Sequence, residues 1–305
     1  MNIGQIEWNL TSRVHRLNQF PNEGVDCYVK RDDELGSGIS GSKLRKYASL
    51  MPILLNKGIR NLIIIAGPQS NNLLAALQMA REFNLSVTAF LIKPWTSVIQ
   101  GNFKLSRLFL DEKDIIWVNR DQWAQVEYMA EEYLMRIQES GFVLKEGGCV
   151  TEALAGAMTL AEDVQRNEQS LGFTFQHIFV DAGTGFLAAA LIKGLAQYHH
   201  QAKIHVLLLA DNEEVFRSKL HYWTDSSPDN YDCFSPSTAK SFGSLNQTIK
   251  KEIWRLAREE GILADPIYSA KLFHEAREYI VNRSLKGRVL IIHSGGILSL
   301  PGFEI

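Results

Sequence analysis

Apolar residues along this chain follow two rhythms. In the first, short unbroken runs of aliphatic and β-branched residues occupy 61–66 (NLIIIA), 86–93 (SVTAFLIK), 114–119 (DIIWVN), 142–146 (FVLKE), 177–183 (HIFVDAG), 204–210 (IHVLLLA) and 288–296 (RVLIIHSGG). Each predicts a strand. In the second, apolar residues return every three or four positions, which predicts helices over 70–83, 103–110, 127–141, 151–167 and 186–198. The helix from 127 is expected to close on Gly141, since glycine readily takes the left-handed conformation that ends a helix. Uniformly apolar strands alternating with helices predict an α/β protein whose parallel sheet is covered on both faces. Residues 224–243, rich in Ser, Pro, Asp and Asn, predict a long irregular segment. It either lines or covers a site or is a plain surface excursion. No repeat, low-complexity tract or Gly/Ser linker interrupts the pattern.

Composition narrows the partners. A chain of 305 residues is long enough for one large domain or two smaller ones. Lys and Arg total 32 against 34 Asp and Glu, a net charge of −2, which gives no electrostatic reason to expect nucleic acid or an anionic membrane. A small molecule or a protein is the expected partner. Cys27, Cys149 and Cys233 are far apart, so neither a disulfide framework nor a cysteine zinc site is expected, and no metal. The start, MNIGQIEWNLTSR, lacks a basic segment followed by an apolar one, and no apolar run approaches the ~18 residues of a bilayer span. A reducing cytoplasm is the expected location.

In open α/β sheets ligands bind at the carboxyl ends of strands. Three such places carry chemistry: 66–72 (AGPQSNN), 181–186 (DAGTGF) and 293–296 (HSGG). Glycines at 183 and 185 let backbone amides turn towards an anion at a helix start, a plausible phosphate cradle, although any tight strand-to-helix turn can use glycine. Phe186, Leu187 and Ala188 follow, so the dinucleotide fingerprint G-x-G-x-x-G is absent, and the nucleotide-triphosphate P-loop is absent as well. Gln69, Ser70, Asn71 and Asn72 offer uncharged donors suited to a carboxylate or a ring hydroxyl, although Ser70 also suits a helix cap. The stretch 38–46 (GISGSKLRK) reads either as a solvated basic turn or as the seat of a reactive lysine.

In chain order the motifs are VKRDD, GSKLRK, QSNN, EGG, GTG, DPIYSAK and HSGG. From about Cys27 to Phe303 this order resembles the pyridoxal-phosphate enzymes of the tryptophan synthase β-subunit fold (fold type II). Within them it is similar to D-cysteine desulfhydrase and 1-aminocyclopropane-1-carboxylate deaminase. The resemblance implies two doubly wound, mainly parallel-sheet α/β domains: a smaller one over 45–157, inserted into a larger cofactor-binding one made of 1–44 and 158–305. The cofactor, pyridoxal 5'-phosphate, would lie between them, and a homodimer is implied. Lys43 would form the Schiff base with the cofactor, with Arg45 and Lys46 adding positive potential near its phosphate. Gly183, Thr184, Gly185, Phe186 and Leu187 would hold that phosphate, Asn71 the ring hydroxyl, and Ser294 or Ser269 the pyridine nitrogen. Gln69, Ser70 and Asn72 would bind the carboxylate of a small amino-acid substrate, with Ser70 also placed for proton transfer and Tyr268 beside the substrate.

Some positions depart from the family pattern. Ser269 stands where the deaminases have glutamate, and a hydroxyl holds the ring nitrogen protonated less well than a carboxylate does. That favours desulfhydrase-like β-elimination, giving pyruvate and ammonia, over the deaminase reaction, which gives 2-oxobutanoate and ammonia. Ser42, Cys149, Val150, Phe186, Phe242 and Asn72 also differ from the usual residues. Of these, Ser42, Val150 and Phe242 leave open a third reading, a protein that binds cofactor or ligand without turnover.

Overall fold

The structure, a computed structural model, describes residues 8–20, 24–95, 99–224 and 228–305. Strands β1 (Val14–Arg16) and β2 (Val25–Lys30) precede helix α1 (Lys43–Asn56). Then β3 (Asn61–Ala66), α2 (Asn71–Glu82), β4 (Ser86–Ile92), α3 (Gly101–Ser106), β5 (Ile115–Val118), α4 (Val126–Ile137) and β6 (Gly141–Leu144) follow in turn. Helix α5 (Leu154–Leu171) leads to β7 (His177–Ala182), α6 (Phe186–Gln197), β8 (Lys203–Leu208), α7 (Glu213–Thr224) and β9 (Tyr231–Phe234). The chain ends with α8 (Gln247–Arg255), α9 (Ser269–Arg283) and β10 (Gly287–Ile292), followed by a short 3-10 turn.

These strands form two sheets. One has six strands in the order β1-β2-β10-β7-β8-β9, the other four in the order β5-β4-β3-β6. Every pairing is parallel except β1 with β2, an antiparallel edge. The smaller sheet is built from residues 61–144 alone, and the larger from both ends of the chain.

The run NLIIIA shows why the sheets are covered twice. Successive side chains point to opposite faces. Leu62 and Ile64 enter the cluster containing Leu50, Met51 and Leu73, whereas Ile63 and Ile65 meet Phe90, Val118 and Val126. In the larger sheet Phe179, Val289 and Ile291 enter one layer, and Ile178, Val180, Leu290 and Ile292 the other. Each such buried aliphatic side chain contributes about 1.5–3 kcal/mol of transfer free energy. Phe186 and Ala190 of α6 pack into the same cluster as α1, α2 and β3, which ties the two sheets together beside the strand ends.

Some local expectations change. Helix α4 stops at Ile137, with Gln138 taking the left-handed cap conformation at φ 54°. Gly141 instead opens β6, where a Cβ would come within 2.5 Å of Leu134 Cδ1. Packing of β6 against α4 claims that glycine before the helix can use it. Helix α3 covers Gly101–Ser106 rather than 103–110. In the segment 224–243, residues 225–227 lie outside the described residues. The remainder supplies β9, an edge strand parallel to β8. Residues 1–7, which open the start examined for a leader, also lie outside the described residues. No helix among the described residues is long and apolar enough to cross a membrane.

Candidate active site

Five segments converge at the carboxyl ends of the parallel strands: the start of α1, the turn from β3 into α2, the turn from β7 into α6, the turn after β10, and the turn before α9. Hydrogen bonds weld them together. Ser42 N donates to Ser294 O at 2.9 Å, which ties the residue before Lys43 to the end of β10. Asn102 Nδ2 donates to Gln69 O at 3.1 Å and to Asn71 Oδ1 at 2.5 Å, bracing the turn after β3 from α3. The turn 265–269 is closed by Asp265, whose Oδ1 accepts from Ile267 N and Tyr268 N at 3.0 and 2.7 Å. A Cβ on Gly296 would meet Asp265 Oδ2 at 2.8 Å and Asn71 Nδ2 at 3.0 Å, so three of these turns touch at that residue.

Lys43 opens α1 with its amine in the field of two buried carboxylates, Asp181 and Asp265. Burial is the main influence and, with the nearby Lys46 cation, brings its pKa down from 10.5 to about 8, the two carboxylates opposing the shift. Burial also lowers Lys46, whose Nζ donates to Gly147 O at 2.8 Å and lies 4.7 Å from the centre of the Phe186 ring. Burial brings Asp265 up from 3.8 to about 7 and raises Asp181 as well. Burial likewise raises the Tyr268 hydroxyl.

Helix α6 begins at Phe186 with Gly185 as its cap residue, at φ 82°, a conformation glycine adopts without strain. No side chain caps this end. Its first amides therefore have no partner within the helix and, with the helix dipole, form a ready anion seat. Thr184 is held by Cys149, whose Sγ donates to Thr184 Oγ1 at 3.2 Å. Outside that contact lies an open groove of about 760 Å³ lined by Cys149, Thr184, Glu146, Lys219 and Trp223 among others. Lys43, Ser70, Asn71 and Tyr268 do not line it.

The anticipated residues come together unequally. Lys43, Asn71, Gly183, Tyr268 and Ser294 border the converging turns. Ser70 caps α2, its Oγ accepting from Asn72 N at 3.1 Å and Leu73 N at 3.3 Å. Gln69 is exposed and donates through Nε2 to Gln100 O at 2.9 Å. Asn72 turns inward, its Oδ1 accepting from Tyr47 Oη at 3.0 Å beneath Gly148. Asn72 Nδ2 has no partner among the described residues. Phe186 buries its ring against Trp223, so only its backbone is available to a ligand. Leu187 follows it in the first turn of α6.

Two placements differ from expectation. Ser269 is fully buried, and its Oγ accepts from Asp265 N at 2.8 Å, closing the turn instead of facing the cleft. Arg45 is fully buried too, with Asp32 gripping it through two bonds of 2.7 Å and Asp163 through one of 2.8 Å. Lys30 Nζ adds a 2.6 Å bond to the same Asp163 oxygen. Its Nη1 donates to Thr159 Oγ1 at 3.3 Å, so this guanidinium is committed to a buried network and is not presented to a phosphate. Asp181, Asp265 and Asn102 were missed by sequence reasoning. The one available signal was the acid at position 181 ending an otherwise apolar strand.

Residues 10–295 match the family of pyridoxal-phosphate dependent enzymes. The chain belongs to that family. Its cofactor is pyridoxal phosphate. Over 309 residues it is 28% identical to the D-cysteine desulfhydrase of Yersinia enterocolitica, covering 96% of this chain and 92% of that one. Over 318 residues it is 26% identical to the 1-aminocyclopropane-1-carboxylate deaminase of Ralstonia nicotianae, covering 95% and 92%. A crystal structure of an ACC deaminase homologue superposes with a TM-score of 0.83 at 24% identity, covering 98% of this chain and 92% of that chain, which shows the shared fold. The residues of this family member suit the cofactor. An uncapped helix start beside the buried amine of Lys46 matches a dianionic phosphate, and the half-buried Lys43, its amine lowered to about 8, matches an aldehyde.

Proposed function

We propose that the protein breaks down a small amino acid by β-elimination, as a desulfhydrase acting on D-cysteine would, releasing pyruvate and ammonia. The observation that carries this reading is the Lys43 amine, lowered to about 8 and set among the same converging turns as the open amide end of α6. An amine near that value is partly neutral at physiological pH and therefore nucleophilic.

In this reading Lys43 Nζ would hold the cofactor's aldehyde end, and the amides at 183–187 together with Lys46 Nζ would hold its phosphate. Asn71 takes the ring hydroxyl, its amide orientation set by Asn102. Gln69, Ser70 and the α2 amides receive the substrate carboxylate, and Ser70 would exchange its capping bonds for that contact. Asn72, buried against Tyr47, supports the turn from beneath. Ser294 would face the ring nitrogen, and Ser269 supports the turn that carries Tyr268. The cofactor, when bound, withdraws electrons from the substrate Cα. Lys43 Nζ would take the Cα proton, and Tyr268 would border the departing β-substituent. Holding the Cα–H bond in one direction is the chain's contribution to rate.

Residues 45–157 would act as the smaller domain, closing over substrate and excluding water. The exposed Trp95 and Leu108 support a homodimer, because large apolar side chains left open favour an interface. Three cysteines without partners fit a reducing cytoplasm. The deaminase reaction stands second, favoured by the carboxylates of Asp181 and Asp265 near the site, which would strengthen the electron sink.

Two measurements test the reading. Borohydride reduction should fix the cofactor to Lys43 and fail to do so in Lys43→Ala. Product assays over D-cysteine, β-chloro-D-alanine, L-amino acids and 1-aminocyclopropane-1-carboxylate should yield pyruvate. Release of 2-oxobutanoate instead favours the second reading, and no keto acid from any substrate by cofactor-loaded protein rejects both.

A further inference from the structure

The ladder between β10 and β7 pairs Ile291 with Phe179, and both strands run on in parallel past that pair. Carried on, that register sets His293 level with Asp181, and one residue further Ser294 Oγ reaches back to donate to Asp181 Oδ1 at 3.0 Å. Both residues are only 7% exposed. Asp181 makes no ion pair among the described residues, and this hydroxyl is its side-chain hydrogen-bond partner. A carboxylate buried on so little compensation is costly to the fold, which marks it as a candidate for function. The charged and titratable groups that act on it or respond to it are Lys43, His293, Asp265 and Tyr268.

We propose that Asp181 sets the protonation of the cofactor's ring nitrogen through Ser294. A serine hydroxyl has one proton. Given to Asp181, that proton is not available to a neutral pyridine nitrogen. The Ser294 oxygen then presents lone pairs only and favours a nitrogen that carries its own proton. The pair lies between the cofactor's two anchors along the chain: Asp181 precedes Gly183 by two residues, and the Ser294 carbonyl binds the amide next to Lys43. Ser269 does not compete, because its oxygen accepts from Asp265 N and its proton turns to Asp265 O inside the buried turn. A protonated ring is the stronger electron sink. The Asp181–Ser294 pair thus restores what serine alone would weaken. The inference rests on Lys43 and the 183–187 turn as the two anchors.

The test is the ¹⁵N chemical shift of ring-labelled pyridoxal phosphate bound to the full chain at neutral pH, since protonated and neutral pyridine nitrogens are well separated. The wild type should show the protonated signal. Asp181→Ala and Ser294→Ala should move it to the neutral position, whereas Asp181→Asn, which keeps an acceptor oxygen, should leave it in place. A neutral nitrogen in the wild type overturns the proposal, as does a nitrogen still protonated in both alanine variants. Borohydride labelling of Lys43 separates the two levels. A labelled Lys43 with a neutral nitrogen rejects this inference alone, and no label on wild-type Lys43 rejects the site reading and this inference with it. Melting curves of the Asn and Ala variants confirm that the protein compared is folded.

Discussion

The ring of Tyr268 lies against Gly183, so close that a Cβ at that glycine would come within 2.9 Å of Tyr268 Cε1. The first residue of the turn into α6 and the aromatic residue before α9 therefore share one small space, although 85 positions separate them by number (268 − 183). Phe242 stands on another side of Tyr268, edge to face at 5.8 Å, and limits where the ring can retreat.

Gly183→Ala should accordingly displace Tyr268 while leaving the α6 amides in place. Turnover should fall by about 10²-fold, the scale set by small misplacements of reacting groups, with cofactor affinity changed less than ~10-fold. Steady-state kinetics beside a cofactor titration read the two effects apart. Loss of affinity with turnover per bound cofactor unchanged contradicts the arrangement.

The depressed pKa of Lys43 has a thermodynamic counterpart. Below about pH 8 the amine is charged in both folded and unfolded protein, and the folded state bears the full cost of burying it. Between about 8 and 10.5 the unfolded chain keeps a proton that the folded one has released, so stability rises with pH. With cofactor removed, Lys43→Met should be more stable than the wild type by about 1–3 kcal/mol at pH 7. The gap should narrow as pH approaches 10.5. Urea unfolding across that range checks it, and a gap that widens with pH contradicts the assignment.

Asp163 joins Lys30 and Arg45 where no water reaches either cation. Asp163→Ala strips Lys30 of its ion-pair partner while Arg45 keeps its two bonds to Asp32, and should cost about 3–5 kcal/mol, since removing one partner of a buried network leaves uncompensated charge. A loss below ~1 kcal/mol by chemical denaturation would show that water or a shifted carboxylate replaces it.

Ser269→Glu tests whether the deaminase glutamate is compatible with this site. The side chain at 269 points into the turn closed by Asp265, in a region that already holds Asp265 and Asp181. A third carboxylate there should destabilise the protein by several kcal/mol and add no 2-oxobutanoate production. Gain of that product with the melting temperature kept would mean the turn rearranges to present the new acid to the ring.

Much of this site was legible in one dimension. NLIIIA, HIFVDA and RVLII are so uniformly apolar that only a doubly covered parallel sheet can bury them, and such sheets hold ligands at their carboxyl ends. That reasoning singles out the turns carrying Ser70, Gly183 and Ser294, while the order of seven motifs points to Lys43. Side-chain partnership was not legible. Arg45 follows Lys43 by two positions and reads as a phosphate ligand, yet Asp32 and Asp163 claim it from distant segments. Ser269 reads as a cleft residue, yet the bend of its own turn spends its hydroxyl on Asp265. Gly141 reads as a helix terminus, yet the strand beyond needs its small size against Leu134.

Periodicity and motif order, which are properties of neighbouring positions, were enough for the sheet class, the strand ends and a candidate lysine. Folding alone chose which buried charge meets which, and whether a hydroxyl is free or spent. Those outcomes depend on contacts between segments far apart in the chain, such as Asp181 with Ser294, 113 positions on, and no local pattern encodes a distance in space.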